Sequence, residues 1–477
     1  MKTVCLYFEI HQNIHLKRYR FFDIGTDHYY YDEAENETAI TETADKSYVP
    51  ALNTLLEMLD TYGDYFKFAI SLSGCAIDQL ENHAPQVIDL LQRLAKTGKV
   101  EFLAEPYSHG FSSIKNPDCF KEEVGRLCNK VKSIFGQEPR VFRNSCLIYS
   151  DEIGQLVSEM GFKGMLAEGA RHVLGWKSPH FVYNCNCAPN LKLLLRDFRL
   201  SEDISLRFSN HNWSEFPLYA DTYADWIAEI PQDEQVVGLF MELCALGIFQ
   251  PLSSNILEFL KALPQKLRDR GVSFSTPSEI FAAMPSAGPL NVAYPTSWVD
   301  EERDLSPWLG NIMQNEAVDK LYSVADRVRI GGDRRLKQDW DYLQASNNLR
   351  FMSTKPNSYN SYRGIYDSPY DAFTNYMNIL GDFITRVNNL YPEDIDNDEL
   401  DSLLTTIRNQ EGELAVKDKE IEKLQHMLGK LEKTISQIAA SEENKETASP
   451  QGKERQVVAK ADAIPSTKAR RRPQLKK

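Results

Sequence analysis

Long apolar runs are absent from this 477-residue chain. The opening run, Met1-Lys-Thr-Val-Cys-Leu-Tyr-Phe-Glu-Ile-His11, is broken at Glu9 and is too short for a signal-peptide core or a membrane span. The chain is therefore expected to start here, in the cytoplasm, with no membrane partner. An excess of positive charge is missing too. A formal net charge of -14 argues against nucleic acid as the partner of the main body and leaves a neutral or small ligand. Cysteines at zinc-knuckle spacing are also lacking. The eight (5, 75, 119, 128, 146, 185, 187 and 244) are scattered, and Cys185-x-Cys187 is too close for a structural site, so they read as reduced and mostly buried thiols. With no convergent His/Asp set legible, neither a metal nor another cofactor is expected.

What is present is material for a large core and more than one domain: 42% hydrophobic and 26% charged residues. Short β-rich runs over 3–10, 65–72, 100–104, 140–142, 164–167, 191–195 and 236–241 alternate with helical spacing, as over 50–62, 85–97, 118–135 and 150–160. Repeated βα units imply a parallel sheet, and seven strands point to a barrel. The chemistry of such a fold gathers where the strands end. Those positions carry Glu9 and His11, Gly74, Glu105 and His109, Cys146, Glu168, Asp197 and Glu242. Polar residues at almost every one suit a ligand with many hydroxyls.

Beyond the barrel, expected over 1–285, a helix-rich region over 286–392 opens on Trp298, Asp304, Trp308, Asn311 and Gln314. Indole faces among carboxylates and amides match a sugar ring, with its apolar C–H face and hydroxyl rim. Two core tryptophans beside solvated charges would account for the run equally well. From 396 to 440 a heptad repeat puts Leu400, Ile407, Leu414, Ile421, Leu428 and Ile435 at a, with Leu403, Gln410, Lys417, Leu424, Leu431 and Ile438 at d. This reads as a coiled coil that makes the chain a homo-oligomer, against the alternative of a helix folded back on the body. Residues 441–477, ending Lys-Ala-Arg-Arg-Arg-Pro-Gln-Leu-Lys-Lys477, read as a disordered basic tail.

Several segments together resemble the alpha-amylase branch of glycoside hydrolase family 57. They are Phe8-Glu-Ile-His-Gln12, Arg20-Phe-Phe-Asp-Ile-Gly25, Glu101-Phe-Leu-Ala-Glu105, Phe142-Arg-Asn-Ser-Cys-Leu-Ile-Tyr-Ser-Asp-Glu152, Gly161-Phe-Lys-Gly164, Leu195-Arg-Asp-Phe-Arg-Leu-Ser201, Arg207-Phe-Ser209 and 297–314. The resemblance implies an α/β protein, an incomplete seven-stranded (β/α) barrel followed by a helical domain, acting on α-1,4-glucans with retention. It also implies that His11, Gln12, Glu105, His109, Asp197, Trp298, Asp304, Trp308 and Asn311 contact the sugar.

Retention requires two carboxyl groups about 5 to 5.5 Å apart, one attacking the anomeric carbon and one protonating the leaving oxygen. The sequence departs from its relatives at both. Cys146 stands where the resemblance puts a nucleophilic glutamate, and Glu242 where it puts an acid/base aspartate. Asn13 replaces a usual proline, and Asn347-Asn348 stand where an acidic, histidine-containing segment is expected. Three functions remain open: a glucan-binding protein with hydrolysis lost or much reduced; an active hydrolase or glucanotransferase in which Glu105 or Glu168 works beside Glu242; or a coiled-coil interaction protein on a degenerate barrel.

Overall fold

The computed structural model describes residues 2–355, 365–392, 405–414 and a scatter of positions from 416 to 428. The chain divides into two compact units, Met1–Glu393 and Asp394–Lys477.

The first unit is an α/β fold with a mixed, mainly parallel sheet. Seven strands carry it: β1 (Thr3–Ile10), β2 (Phe68–Leu72), β3 (Val100–Phe102), β4 (Val141–Arg143), β5 (Gly164–Glu168), β6 (Lys192–Arg196) and β7 (Val236–Glu242). They correspond to the seven β-rich runs of the sequence, shifted by up to three residues at their ends. Strand β1 lies between β2 and β7, pairing parallel to both, and β5 joins β4 to β6. Ladders of lesser extent complete the path: β2 pairs β3, Ala104 bridges Phe142, and Arg196 pairs Gly238. The hydrogen-bonded path thus returns to β1 after seven strands.

All eight residues of β1 are buried, as expected of a strand covered on both faces. The two-residue period of the strand divides them. Val4, Leu6, Phe8 and Ile10 pack outward in a cluster with Leu52 and Leu55 from the helix Val49–Tyr62 and Leu91 and Leu94 from the helix Pro85–Lys96. Cys5 and Tyr7 pack with Ala69, Leu103, Val141, Leu166, Leu194, Val236 and Phe240 in a separate apolar cluster on the inner face. Burying each large side chain contributes roughly 1.5–3 kcal/mol. The helices are stopped locally. Asn116 accepts from Cys119 N at the start of Pro117–Phe135, and Gly136, at φ 71°, ends it.

Short additions lay beyond the reach of periodicity. Tyr183–Cys185 runs antiparallel to β6, and Pro289–Leu290 runs parallel beside it, each too brief to show a pattern. The region after 300 is helical as expected, from Ser306–Leu309 to the 22-residue helix Pro369–Leu390.

In the second unit, residues 405–414 are helical. The apolar heptad side chains Ile407, Leu414, Ile421, Leu424 and Leu428 are 39 to 60% exposed. Leu400, Leu403, Leu431, Ile435 and Ile438, and the basic tail 441–477, lie outside the described residues. Among the described residues no helix is long and apolar enough to cross a membrane.

Where β6 meets β7, Asp197 N donates to Gly238 O at 2.8 Å, and a Cβ on Gly238 would sit 2.2 Å from Leu195 O. Backbone cannot yield as a side-chain tip does. Gly238→Ala is therefore expected to lower stability by about 1–3 kcal/mol, as overpacking in a core does, measured by urea denaturation.

Candidate active site

The residue two beyond each member of the inner apolar cluster's strand layer is polar. Tyr7 leads to Glu9, Ala69 to Ser71, Leu103 to Glu105, Val141 to Arg143, Leu166 to Glu168, Leu194 to Arg196 and Phe240 to Glu242. The strand period puts these seven side chains at the same end of the sheet, the end where the strands finish. Glu9, Arg196 and Glu242 among them line a cleft of about 1010 Å³, while Ser71, Glu105, Arg143 and Glu168 are buried.

Arg143, fully buried, is central to one side of it. Its Nη2 lies 2.5 Å from Glu9 Oε2 and its Nη1 3.4 Å from Glu105 Oε2. Ser71 Oγ donates to that same Glu105 oxygen and is itself 2.7 Å from Tyr7 OH. His109 Nδ1 is 3.4 Å from Glu9 Oε1 and 3.7 Å from Glu105 Oε1. Its ring stacks on His11 with centroids 4.0 Å apart, and His11 Nδ1 is 2.8 Å from Ser73 Oγ. Burial pushes the Glu9 carboxyl up to about 8, with Arg143 pulling it down and Glu105 and Glu242 adding to the rise. Burial also raises Glu105 against the pull of Arg143, and it holds both imidazoles well below their ordinary value, hence neutral.

On the other side Arg196 Nη1 is 3.1 Å from Glu168 Oε2 and 3.5 Å from Glu202 Oε1, which also accepts from Arg303 Nη2. Trp298 lies between the two halves. The Arg143 and Arg196 guanidinium carbons stand 5.3 and 5.5 Å from its ring centroid.

Cys146 lines the cleft and is buried, with Sγ 3.5 Å from His109 Nε2. Its backbone is left-handed (φ 51°, ψ 29°), as is that of Leu147 (φ 53°), which costs on the order of 1–3 kcal/mol per residue. The turn is pinned from outside. Trp298 N donates to Cys146 O at 3.1 Å, and Tyr149 bridges Thr296. Burial drives the thiol far above its ordinary value, and Glu9 adds to the effect, so Cys146 is a neutral thiol. Glu242 lines the cleft as well, in register with Glu9 on the neighbouring strand, and accepts from Cys244 Sγ at 3.0 Å.

Of the residues expected to contact sugar, His11, Gln12, His109, Trp298 and Trp308 line the cleft with Cys146 and Glu242. Glu105 is held behind them, its side chain wholly buried. Three others are used elsewhere. Asp197 caps the helix Phe198–Glu202 and pairs with His180 at 2.7 Å. Asp304 holds Ser306 N at 2.8 Å. Asn311 caps the helix Ile312–Tyr322, and its Nδ2 donates to Met352 O. Trp308 corrects the expectation of an open stacking face. It is 1% exposed, with Phe111 and Arg350 near its ring, so that its indole N–H is the group it has to offer. The expectation that no ligand set converges is also corrected: ligand atoms of Glu9, Glu105 and His109 lie within 4.8 Å of one another. Arg143, Arg196, Glu202, Arg303 and Arg350 were not anticipated. For Arg143 and Arg196 the signal was there, two residues beyond an inward apolar residue.

The sequence profile of glycosyl hydrolase family 57 matches residues 5–293. A putative alpha-amylase from Methanocaldococcus jannaschii is 34% identical over 369 residues, covering 74% of this chain and 78% of that protein. The chain belongs to glycosyl hydrolase family 57. Among solved structures, a GH57 branching enzyme from Thermococcus kodakaraensis superposes with a TM-score of 0.58 at 14% identity, covering 84% of this chain and 93% of that one. A 4-alpha-glucanotransferase from Thermococcus litoralis gives 0.58 at 12% identity over 79% of this chain, which spans 59% of that enzyme. At these identities the likeness is one of fold.

Removing one member of a buried ion pair leaves the other uncompensated. Arg143→Leu, stranding Glu9 and Glu105, is expected to cost about 3–5 kcal/mol in urea denaturation, with part recovered on adding Glu9→Gln. A loss below about 1 kcal/mol would contradict this account of Arg143.

Proposed function

We propose that this chain binds an α-1,4-glucan or a maltooligosaccharide in the cleft, with hydrolysis lost or much reduced. One observation carries the reading: buried polar atoms of the cleft's own lining stand without a partner. Glu9 Oε1, His11 Nε2, Trp308 Nε1 and Arg350 Nη1 make no hydrogen bond. Each such group costs about 1–3 kcal/mol when left dry, and sugar hydroxyls can satisfy donors and acceptors alike. Trp298 adds apolar surface beside them. The seven parallel strands then act as a (β/α) barrel that presents this lining, and the helical region from 286 to 392 completes the site.

The loss of hydrolysis follows from Cys146. A buried neutral thiol is a poor nucleophile, and a thioglycosyl intermediate would be slow to hydrolyse. Glu242 keeps an acid on a stem one methylene longer, a displacement of roughly 1 Å that can cost around a hundredfold. The carboxyl groups an active enzyme would recruit instead, Glu105 and Glu168, are wholly buried and held by Arg143 and Arg196. Labelled maltoheptaose, with product and bound fraction followed together, tests the reading. Binding without product is expected for the native chain, at least tenfold weaker binding for Trp298→Ala, and partial turnover for Cys146→Glu with Glu242→Asp, since retaining chemistry needs both groups. Equal binding by parent and Trp298→Ala, or brisk turnover undiminished in Cys146→Ala, would refute it.

The reading extends to a cytoplasmic homo-oligomer. The exposed heptad side chains from Ile407 to Leu428 form an apolar stripe that a partner helix would cover. Several weak glucan sites held together would then favour polymer over short oligosaccharide. Sedimentation of the full chain and of a version ending at Tyr391 is expected to give an oligomer and a monomer. A monomeric full chain would reject the coiled coil.

A further inference from the structure

We propose that Glu9 Oε1, Glu105 Oε1 and His109 Nδ1 form a binding site for a divalent first-row transition cation at the floor of the cleft. The site is built so that one oxygen of each carboxyl group is held and the other is free. Arg143 occupies Glu9 Oε2, and Arg143 and Ser71 occupy Glu105 Oε2. The two Oε1 atoms accept no hydrogen bond, although Glu9 is 2% exposed and Glu105 fully buried. Both turn towards the same imidazole nitrogen, at 3.4 and 3.7 Å. With the imidazole proton on Nε2, three lone pairs face one another, and Arg143 Nη1, 3.5 Å from His109 Nδ1, is the group a cation would displace.

Ligand spacing agrees with a small cation. Zinc binds imidazole nitrogen and carboxylate oxygen at about 2.0–2.2 Å, which sets neighbouring ligands of a tetrahedron about 3.4 Å apart. Nitrogen in the set favours zinc or cobalt over manganese, magnesium and calcium, which prefer oxygen shells. Charge points the same way. Glu168 and Glu202 are matched by Arg196 and Arg303, whereas Glu9 and Glu105 share the single guanidinium of Arg143. A divalent cation would add positive charge where two carboxyl groups meet one guanidinium. Glu9 and His109 line the cleft, so the ion has a route in and an open position for water or a hydroxyl. Cys146 faces the opposite nitrogen of His109 and stays outside the set.

The proposal gives to a cation the Glu9 Oε1 atom that a sugar hydroxyl would otherwise meet, and it is tested without any sugar, so that its failure leaves glucan binding to be judged separately. Full-length protein stripped with EDTA is titrated with zinc, manganese and magnesium chlorides, and then with cobalt(II) for its visible spectrum. The expected result is one saturable zinc or cobalt site per chain, magnesium at least tenfold weaker, and cobalt bands without thiolate charge transfer. Glu9→Gln and His109→Gln should each weaken binding by about a hundredfold, a typical loss when a metal's supporting shell is broken. Cys187→Ser, which removes the exposed thiol, should leave it unchanged. The cobalt spectrum of the native chain keeps the test valid should either site variant fail to fold. No saturable binding, a thiolate band, or a site lost only in Cys187→Ser would overturn the proposal and leave a proton as the occupant.

Discussion

A guanidinium fixed between two carboxyl groups, Arg143 between Glu9 and Glu105, is the contact on which the rest of the cleft depends. Three buried ionisable side chains on separate strand ends persist only if each is compensated or neutral, so β1, the segment after β3, and β4 must meet at one height. The Ala104–Phe142 bridge supplies that height: Arg143 N donates to Ala104 O at 2.8 Å, which brings Glu105 and Arg143 side by side. The inner apolar layer lies one strand period below. Packing sets the register, the register sets which side chains reach the mouth, and pairing decides which of those remain free for a ligand.

Much of this order is legible in the amino-acid sequence. Fully apolar runs announce the parallel strands, and a step of two from the last inward apolar residue finds Glu9, Glu105, Glu168 and Glu242. The same step explains an error at β6. Arg196 follows Leu194 by two and points inward, whereas Asp197, one residue later, turns to the helix start and to His180. Asp304 and Asn311, expected to meet a sugar, are engaged locally for another reason. A carboxylate or amide near a helix start satisfies backbone donors about as readily as it meets a ligand, and nothing in the local pattern separates the two uses. Trp308 shows the same limit, because whether an indole face is open depends on Phe111 and Arg350, distant in the chain.

Pairing across strands is what the sequence does not disclose. Arg143 could be recognised as inward-facing, but its partners lie 134 and 38 residues earlier, and only the closing of the sheet selects them. The strained turn at Cys146 is equally non-local. Its left-handed backbone is held by Trp298 N and by the Tyr149–Thr296 pair, contacts between segments nearly 150 residues apart. That turn ties the helical region to the mouth, so the position of Trp298 and the strain at Cys146 are one feature of the structure.

The same charge pattern bears on the replacement at position 146. Glu9 and Glu105 already share one guanidinium, and burial, with Glu9 and Glu242 adding to it, keeps the Cys146 proton in place. A carboxylate there would add like charge to a side of the cleft that is short of positive partners, whereas a neutral thiol adds none. Ground-state stability thus disfavours a carboxylate at this position. The proposed binding, by contrast, rests on Trp298, His11, the indole N–H of Trp308 and the free nitrogen of Arg350, none of which requires a charged residue at 146. Under the proposed reading, a cleft organised in this way can lack a nucleophilic carboxylate and still present those groups to a sugar.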